Sequence, residues 1–316
     1  MREQKFGLVI NPRAKGVYKR YILSQRKFWE AFLKPEQYEV PESIDQTGSA
    51  LKKLLEQGVE VLGVLGGDGT VNIVLNELMK LSPGKFPTIL PFRGGTINAL
   101  CNNIGTKDSP EETLRKVVGI SRAHPTQFFK HLIRVTEDEN GLMTQRYGFT
   151  FANGVFPKIF QVYYSYKNPG VGAATRLILK IFFTSAFRPG WAKSLLSPVE
   201  MKIEGRSGEI MSGKVRVLAV STLESPTLWW KPFGPELNGR PQFHYLANAM
   251  TNPEVVLNMF DLFIGRSNHA KHLVSKADEL KVECDTGYVL DGELFSVGKR
   301  LKIKIDIGPS LRFISL

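Results

Sequence analysis

Residues 62–78, LGVLGGDGTVNIVLNEL, leave the chain few ways to fold. Val59 to Leu65 is short, apolar and β-branched, the pattern of a strand buried on both faces of a parallel sheet. From Thr70 onward, Val71, Val74, Leu75 and Leu78 recur at helical spacing. Gly66-Gly67-Asp68-Gly69-Thr70 is therefore a strand-to-helix turn. Glycine there permits positive φ and lets a ligand approach the backbone. The first free N–H groups of the following helix and the positive end of its dipole suit a phosphate. A carboxylate would repel that phosphate, so Asp68 makes chemical sense if it holds a magnesium ion or takes a proton from an attacking hydroxyl. The alternative is a tight turn in which Asp68 caps the helix.

A parallel strand needs crossover connections, and the first third of the chain alternates accordingly. Phe6 to Ile10 reads as a strand ending at Asn11-Pro12, and a basic helix follows around Tyr18 to Leu33. Gln37 to Val40 is a short strand, and Thr47 to Glu56 is a helix with Thr47 as its N-cap. The helix after the glycine turn runs to about Lys80. Thr88 to Leu90, before Pro91, is a further strand. Gly94-Gly95-Thr96 opens a second turn-to-helix step, and Pro110 to Val118 is a helix. This βαβα order predicts a doubly wound α/β domain over residues 1–123. Ligands of such sheets bind beyond the carboxyl ends of the strands, which places Asn11, the 66–70 turn and the 94–98 turn on one edge.

After about Ala123 short alternating runs take over. They include Phe128 to Val135, Gln145 to Phe151, Val199 to Ile203, Lys214 to Val220 and Gln242 to Leu246. Leu280 to Glu283, Tyr288 to Leu290 and Leu301 to Ile305 follow. Residues 124–301 thus read as an antiparallel β-sandwich or open barrel, interrupted by one clear helix around Ala173 to Phe187. The final strand, about 302–316, is a candidate to return to the first domain.

Lys plus Arg number 42 against 30 Asp plus Glu, a net charge of +12. That excess suits an anionic partner or a generally basic surface. No helix-turn-helix, zinc-ligand or stacking signature supports nucleic acid. Two cysteines, Cys101 and Cys284, make neither a disulfide framework nor a zinc cluster, so a reducing, cytoplasmic setting is the expectation. The start lacks the apolar core of a signal peptide, and no stretch of 18 apolar residues exists. The five histidines show no metal-ligand spacing with a supporting cluster.

A second acidic motif lies near the end, Leu290-Asp291-Gly292-Glu293. By itself it is a hairpin turn; in an extended segment, residues 291 and 293 would share a face. Taken with VINPRAKG (Val9 to Gly16), TGSA (Thr47 to Ala50), GGDGT (Gly66 to Thr70), GGTINAL (Gly94 to Leu100) and YGFTFANGV (Tyr147 to Val155), the chain resembles the diacylglycerol kinase catalytic family of lipid kinases. More distantly it is similar to NAD kinases and phosphofructokinases, which share the Gly-Gly-Asp-Gly turn.

The resemblance implies a nucleotide domain that holds ATP and a β domain that holds a lipid. It implies that Asn11, Thr47, Gly66, Gly67, Gly69 and Thr70 hold the nucleotide, with Gly95, Thr96 and Asn98 closing the phosphate side. Asp68 acts on magnesium or on the attacking hydroxyl. Asp291 and Glu293 come from the other domain, and the general base is one of these three carboxylates. Bacterial members imply a homodimer.

The chain departs from the family in places. Ile73 stands where the family has Glu, Ala99 where it often has Asp, and Phe92-Arg93 are extra. Gly16 stands alone where two glycines are usual, and Asn238-Gly239 replaces the Asp-Gly of an accessory magnesium site. Ile73 and Ala99 keep open a non-catalytic lipid- or nucleotide-binding protein, and GGDGT keeps open an NAD kinase. Two segments fit a peripheral, anionic membrane surface: the basic stripe Arg176, Lys180, Thr184 and Arg188, and Leu228 to Phe233 with its Trp-Trp-Lys. Packing against the β domain is the alternative for both.

Overall fold

The computed structural model describes residues 5–14, 26–82, 84–95, 98–118, 125–139, 141–167, 170–187, 189–225, 232–233, 240–258, 261, 269–296 and 300–316. Gly16, most of the basic helix expected from Tyr18, Thr96, Arg188, Leu228 to Lys231 and Asn238-Gly239 lie outside them. The chain divides into two units, Met1–His131 with Pro309–Leu316, and Leu132–Gly308.

In the first unit a parallel sheet runs in the order β2 (Tyr38–Glu39), β1 (Phe6–Ile10), β3 (Val61–Gly66), β4 (Thr88–Arg93). The end of the last strand, Leu301–Ser315, adds to β4 in parallel, Phe313 against Ile89. Side chains alternate across this sheet because successive Cβ atoms point to opposite faces. Phe6, Leu8 and Ile10 meet Trp29, Leu33, Leu114 and Val117 from helices Arg26–Phe32 and Pro110–Val118 and the residues next to them. Gly7 faces the other way, where a Cβ would lie 3.3 Å from Leu54 of helix Thr47–Glu56. That helix packs on helix Asp68–Leu81. The sheet is thus covered on both faces, as a doubly wound fold requires.

Two local expectations change. Thr47 is not the N-cap: a 3-10 turn over Ile44–Gln46 runs into the helix, Gln46 occupies the cap, and Thr47 is buried in the first turn. β4 does not stop before Pro91 but continues to Arg93, in register with β3 throughout. Proline costs a strand one donor, and strand donors alternate between neighbours, so a single proline need not break the pairing with β3.

The second unit is antiparallel. One sheet runs β12 (His272–Ala277), β11 (Phe243–Asn248), β10 (Val217–Ser221), β7 (Thr150–Gly154), β14 (Tyr288–Leu290), β15 (Glu293–Phe295). The other holds β9 (Gly208–Val215), β8 (Val199–Gly205), β13 (Glu279–Cys284) and the first part of β16 (Leu301–Ser315), with β5 (Thr126–Glu139) on β16 and β6 (Leu142–Gly148) on β5. Their inner faces share one core. Phe151, Leu218, Phe243 and Tyr288 of the first sheet pack with Ile203, Val282, Ile303 and Ile133 of the second. This is a sandwich.

The runs expected at Gln145 to Phe151 and Lys214 to Val220 are each two strands, broken at Phe149 and Arg216. Helices Phe156–Ser165, Pro189–Leu195 and Asn252–Leu257 join the expected helix, which spans Val171–Phe187. Among the described residues, no helix is long and apolar enough to cross a membrane.

Candidate functional site

The glycine turn of the first unit is built backbone against backbone. Gly67 is the N-cap of helix Asp68–Leu81, in extended conformation and without a side-chain cap. The Gly94 N–H donates to the Gly66 carbonyl at 3.0 Å. A Cβ on Gly95 would lie 2.4 Å from the Gly67 Cα, and one on Gly94 would lie 2.9 Å from the Gly66 Cα. The contact of the two turns therefore requires glycine at 94 and 95 and leaves little room at 67, while a Cβ on Gly66 would meet the Thr70 side chain of its own turn at 2.4 Å. Positive φ plays no part, since Gly66, Gly67, Gly69, Gly94 and Gly95 are all outside that region. On this point the expectation is corrected.

Asp68 does not cap its own helix. Its Oδ1 accepts the Leu100 N–H at 3.3 Å, so the carboxylate sits at the start of the next helix, Ala99–Asn103. Burial pushes its pKa up, and backbone N–H groups of Ala99, Leu100 and Asn98 pull against that. The residue as a whole keeps some exposure, so the carboxylate is enclosed while part of the side chain remains open. Beneath it, burial and the Asp68 charge push the Cys101 thiol up to about 12, which makes it inert.

Asn98 adopts the left-handed conformation, φ 52°, and closes its own loop: Oδ1 accepts the Gly95 N–H at 2.9 Å and Nδ2 donates to the Gly95 carbonyl at 3.1 Å. Asn11, following β1, donates through Nδ2 to Thr70 Oγ1 at 2.8 Å. The structure thus brings together Asn11 with Thr70, Asp68 with the 98–100 backbone, and Gly66-Gly67 with Gly94-Gly95. Gly69 lies in the first turn of helix Asp68–Leu81, and Thr47 on the neighbouring helix Thr47–Glu56. Thr96 is outside the described residues.

The two extra residues have structural places. Phe92 is fully buried, and Arg93 donates to Asn102 Oδ1 at 2.6 Å and to the Thr106 carbonyl at 2.9 Å, fastening helix Ala99–Asn103.

In the second unit Asp291 and Gly292 are the two central residues of the hairpin joining β14 to β15, both with positive φ, 47° and 91°. That is a type I′ turn, which Asp-Gly favours. The segment is not extended at Asp291, so the expected shared face of Asp291 and Glu293 does not form.

The Asp291 carboxylate instead accepts the Phe149 N–H at 3.0 Å, the Thr150 N–H at 2.8 Å and the Thr150 hydroxyl at 2.9 Å. The Asp291 N–H donates to the Thr150 carbonyl at 2.9 Å. Asp291 therefore ties the hairpin to the bend between β6 and β7. Glu293 begins β15 with its residue partly open to solvent, yet desolvation of its carboxyl raises it above the ordinary value.

Tyr164, on helix Phe156–Ser165, donates its hydroxyl to the Gly292 carbonyl at 2.7 Å. Burial and the Glu293 charge push that phenol up to about 12, so it remains a donor. Sequence reasoning missed Tyr164, since no spacing signals a helix laid over a turn 128 residues away. Thr150 was within the quoted YGFTFANGV, but its bonds to Asp291 depend on the sheet pairing.

Among the described residues, no cluster of three or more His, Cys, Asp or Glu is placed to hold a metal. Magnesium usually needs only one or two carboxylates beside phosphate oxygens and water, so a single Asp68 fits that demand.

The diacylglycerol kinase catalytic domain family matches residues 5–128. No curated protein sequence matches the chain. A provisionally assigned diacylglycerol kinase from Bacillus anthracis str. Sterne superposes with a TM-score of 0.66 at 16% identity, over 99% of this chain and 97% of that one. A diacylglycerol kinase structure from the same organism gives 0.62 at 15%, with the same coverage. Yeast NADH kinase complexed with NADH gives 0.50 at 10%, over 99% of this chain and 84% of that one. At such identities these likenesses report the fold. The glycine turn, the Asn98 loop and Asp68 all lie within residues 5–128, the part of the chain that matches the diacylglycerol kinase catalytic domain family.

Proposed function

We propose that the chain is an ATP- and magnesium-dependent lipid kinase that transfers the γ-phosphate to a hydroxyl of a diacylglycerol-like or sphingoid-like lipid. The observation that carries this reading is the pair of interlocked glycine turns with an enclosed Asp68 carboxylate at their centre. The extended Gly67 backbone at the N-terminus of a 14-residue helix, which carries no side-chain cap, suits a polyphosphate. Asp68 would hold the magnesium, which neutralises charge on the phosphates. Asn11 and Thr70, already bonded to each other, would set the nucleotide side.

The carboxylates of the second unit then take different parts. Asp291 has its oxygens engaged by three donors and serves as a positioning residue. Glu293, whose carboxyl pKa is raised by burial, is the proton acceptor for the attacking hydroxyl. Phosphoryl transfer is mostly positioning and charge neutralisation, so these groups suffice.

Labelled ATP with magnesium, offered diacylglycerol, ceramide and sphingosine in mixed micelles with NAD as a parallel acceptor, tests the reading. A phosphorylated lipid absent from the Asp68→Asn protein supports it. Label in NADP moves the chain to the NAD kinase chemistry. No transfer from folded protein leaves the non-catalytic homologue that Ile73 and Ala99 suggest.

A further inference from the structure

Helix Val171–Phe187 inverts the usual arrangement of a surface helix. Of its described side chains only Leu177 is nearly inaccessible. Ile178, Leu179 and Phe183 are 63%, 50% and 53% exposed, and Thr175 stands out beside them. Positions 175, 178, 179 and 183 lie at helical spacing, so the outward face is a stripe with three large apolar residues and one threonine. Arg176 and Lys180 flank it, both exposed. In the next helix, Pro189–Leu195, Trp191 is 37% exposed with the Lys180 ammonium 4.5 Å from its ring centre, and Lys193 is exposed.

The sequence around this face is one-sided in charge. Between Glu139 and Glu200 there is no acidic residue, while Arg146, Lys158, Lys167, Arg176, Lys180, Arg188 and Lys193 are basic.

We propose that this face docks the chain on an anionic lipid bilayer. Ile178, Leu179 and Phe183 enter the acyl boundary, and Arg176, Lys180 and Lys193 sit at the level of the lipid phosphates. Apolar residues outermost with basic residues beside them is the interfacial pattern, and a Trp next to a Lys suits the head-group level. A second copy of the chain fits poorly. A two-fold interface would set the same patch on itself, bringing Arg176 and Lys180 against their own copies with no acidic residue of the segment to offset them. The choice of a lipid surface rests on the lipid-kinase reading in one respect, that the acceptor lies in a membrane; the binding does not depend on turnover.

Co-sedimentation tests it, with vesicles of phosphatidylcholine alone or with about one-third phosphatidylglycerol. The chain should bind the anionic mixture, and salt should release it. The Ile178→Ser, Leu179→Ser, Phe183→Ser triple variant should bind at least tenfold more weakly at unchanged Tm. Arg176→Gln and Lys180→Gln should each cost about fivefold. Equal binding by all variants overturns the proposal, as does binding indifferent to lipid charge. So does a lipid-free dimer that the triple variant turns into a monomer, since the face then covers a second copy.

A short-chain acceptor dissolved as monomers separates the two readings. The triple variant should phosphorylate it at the wild-type rate. Absence of turnover in the wild type with vesicle binding intact counts against the kinase and leaves the docking face standing.

Discussion

Keeping Asp68 charged in its enclosed position costs stability. Burial raises its pKa, so the folded chain holds the proton more tightly than the unfolded chain does. The stability this confers is present below the ordinary carboxylate pKa and is lost as pH rises through the raised folded value. Asp68→Asn keeps an acceptor for the Leu100 N–H and removes the charge. We expect its Tm at neutral pH to equal or exceed wild type while phosphate transfer falls to background, read by thermal unfolding and by labelled ATP. A lower Tm with normal transfer would make Asp68 a structural residue.

The two carboxylates of the hairpin should separate in the same way. Glu293→Gln should lower kcat by about 100-fold or more and abolish the acid limb of its pH profile, which lies above the ordinary carboxylate range because the base must be deprotonated. Asp291→Asn should do less, because Asn-Gly also favours a type I′ turn and still accepts from Thr150. The opposite order of effects would exchange their roles.

At the scale of elements, each of the two turns is held in place by a segment distant in sequence. The 66–67 turn is held by the 94–95 turn, and Gly95→Ala places a Cβ 2.4 Å from the Gly67 Cα, where backbone cannot yield. Overpacking of this kind costs about 1–3 kcal/mol, so urea unfolding should shift to a lower midpoint and ATP affinity should fall. An alanine with wild-type stability and affinity would show that the turns do not touch in solution.

The 291–292 turn is held by Thr150 on one side and by Tyr164 on the other. Tyr164→Phe deletes one hydrogen bond worth about 1 kcal/mol. Its effect should appear in kcat rather than in KM for ATP. A variant with unchanged kcat would remove Tyr164 from the positioning of Glu293.

For the whole molecule, the notable feature is that the chain finishes where it began. Pro309–Leu316 belongs to the first unit, where Leu311, Phe313 and Ile314 are buried. Fully burying such side chains stabilises by about 1.5–3 kcal/mol each, and the three together are comparable with the net stability of a small domain. A chain ending at residue 308 should therefore lose the cooperative unfolding of the first unit, followed by hydrogen exchange at β1 and β3. Undiminished protection there would show that the last strand is dispensable.

Much of this was legible because it rests on local physics. The period of apolar residues and the turn chemistry set the strand Phe6–Ile10, the helices at Thr47, Asp68 and Pro110, and the hairpin strand Tyr288–Leu290, none of which needs a distant partner to be recognised. The order of Gly-Gly-Asp-Gly, Gly-Thr-Ile-Asn and Asp-Gly-Glu likewise carries the resemblance to the lipid kinases in the sequence itself.

What distant contacts decide was not legible. Whether a strand continues through Pro91 depends on how its neighbours are paired. The requirement for glycine at 94 and 95 comes from two turns about 30 residues apart in sequence that meet backbone to backbone, not from φ. Asp68 serves the next helix rather than its own, and Asp291 is bound to Thr150 by a sheet pairing that only the folded sandwich supplies. Periodicity alone left open whether the apolar residues of helix Val171–Phe187 face the core or a membrane, because amphipathicity records that two sides differ and not which side meets the core. The sequence determined the elements and the chemical groups they carry; the tertiary structure decided which group faces which, because those contacts join segments far apart along the chain.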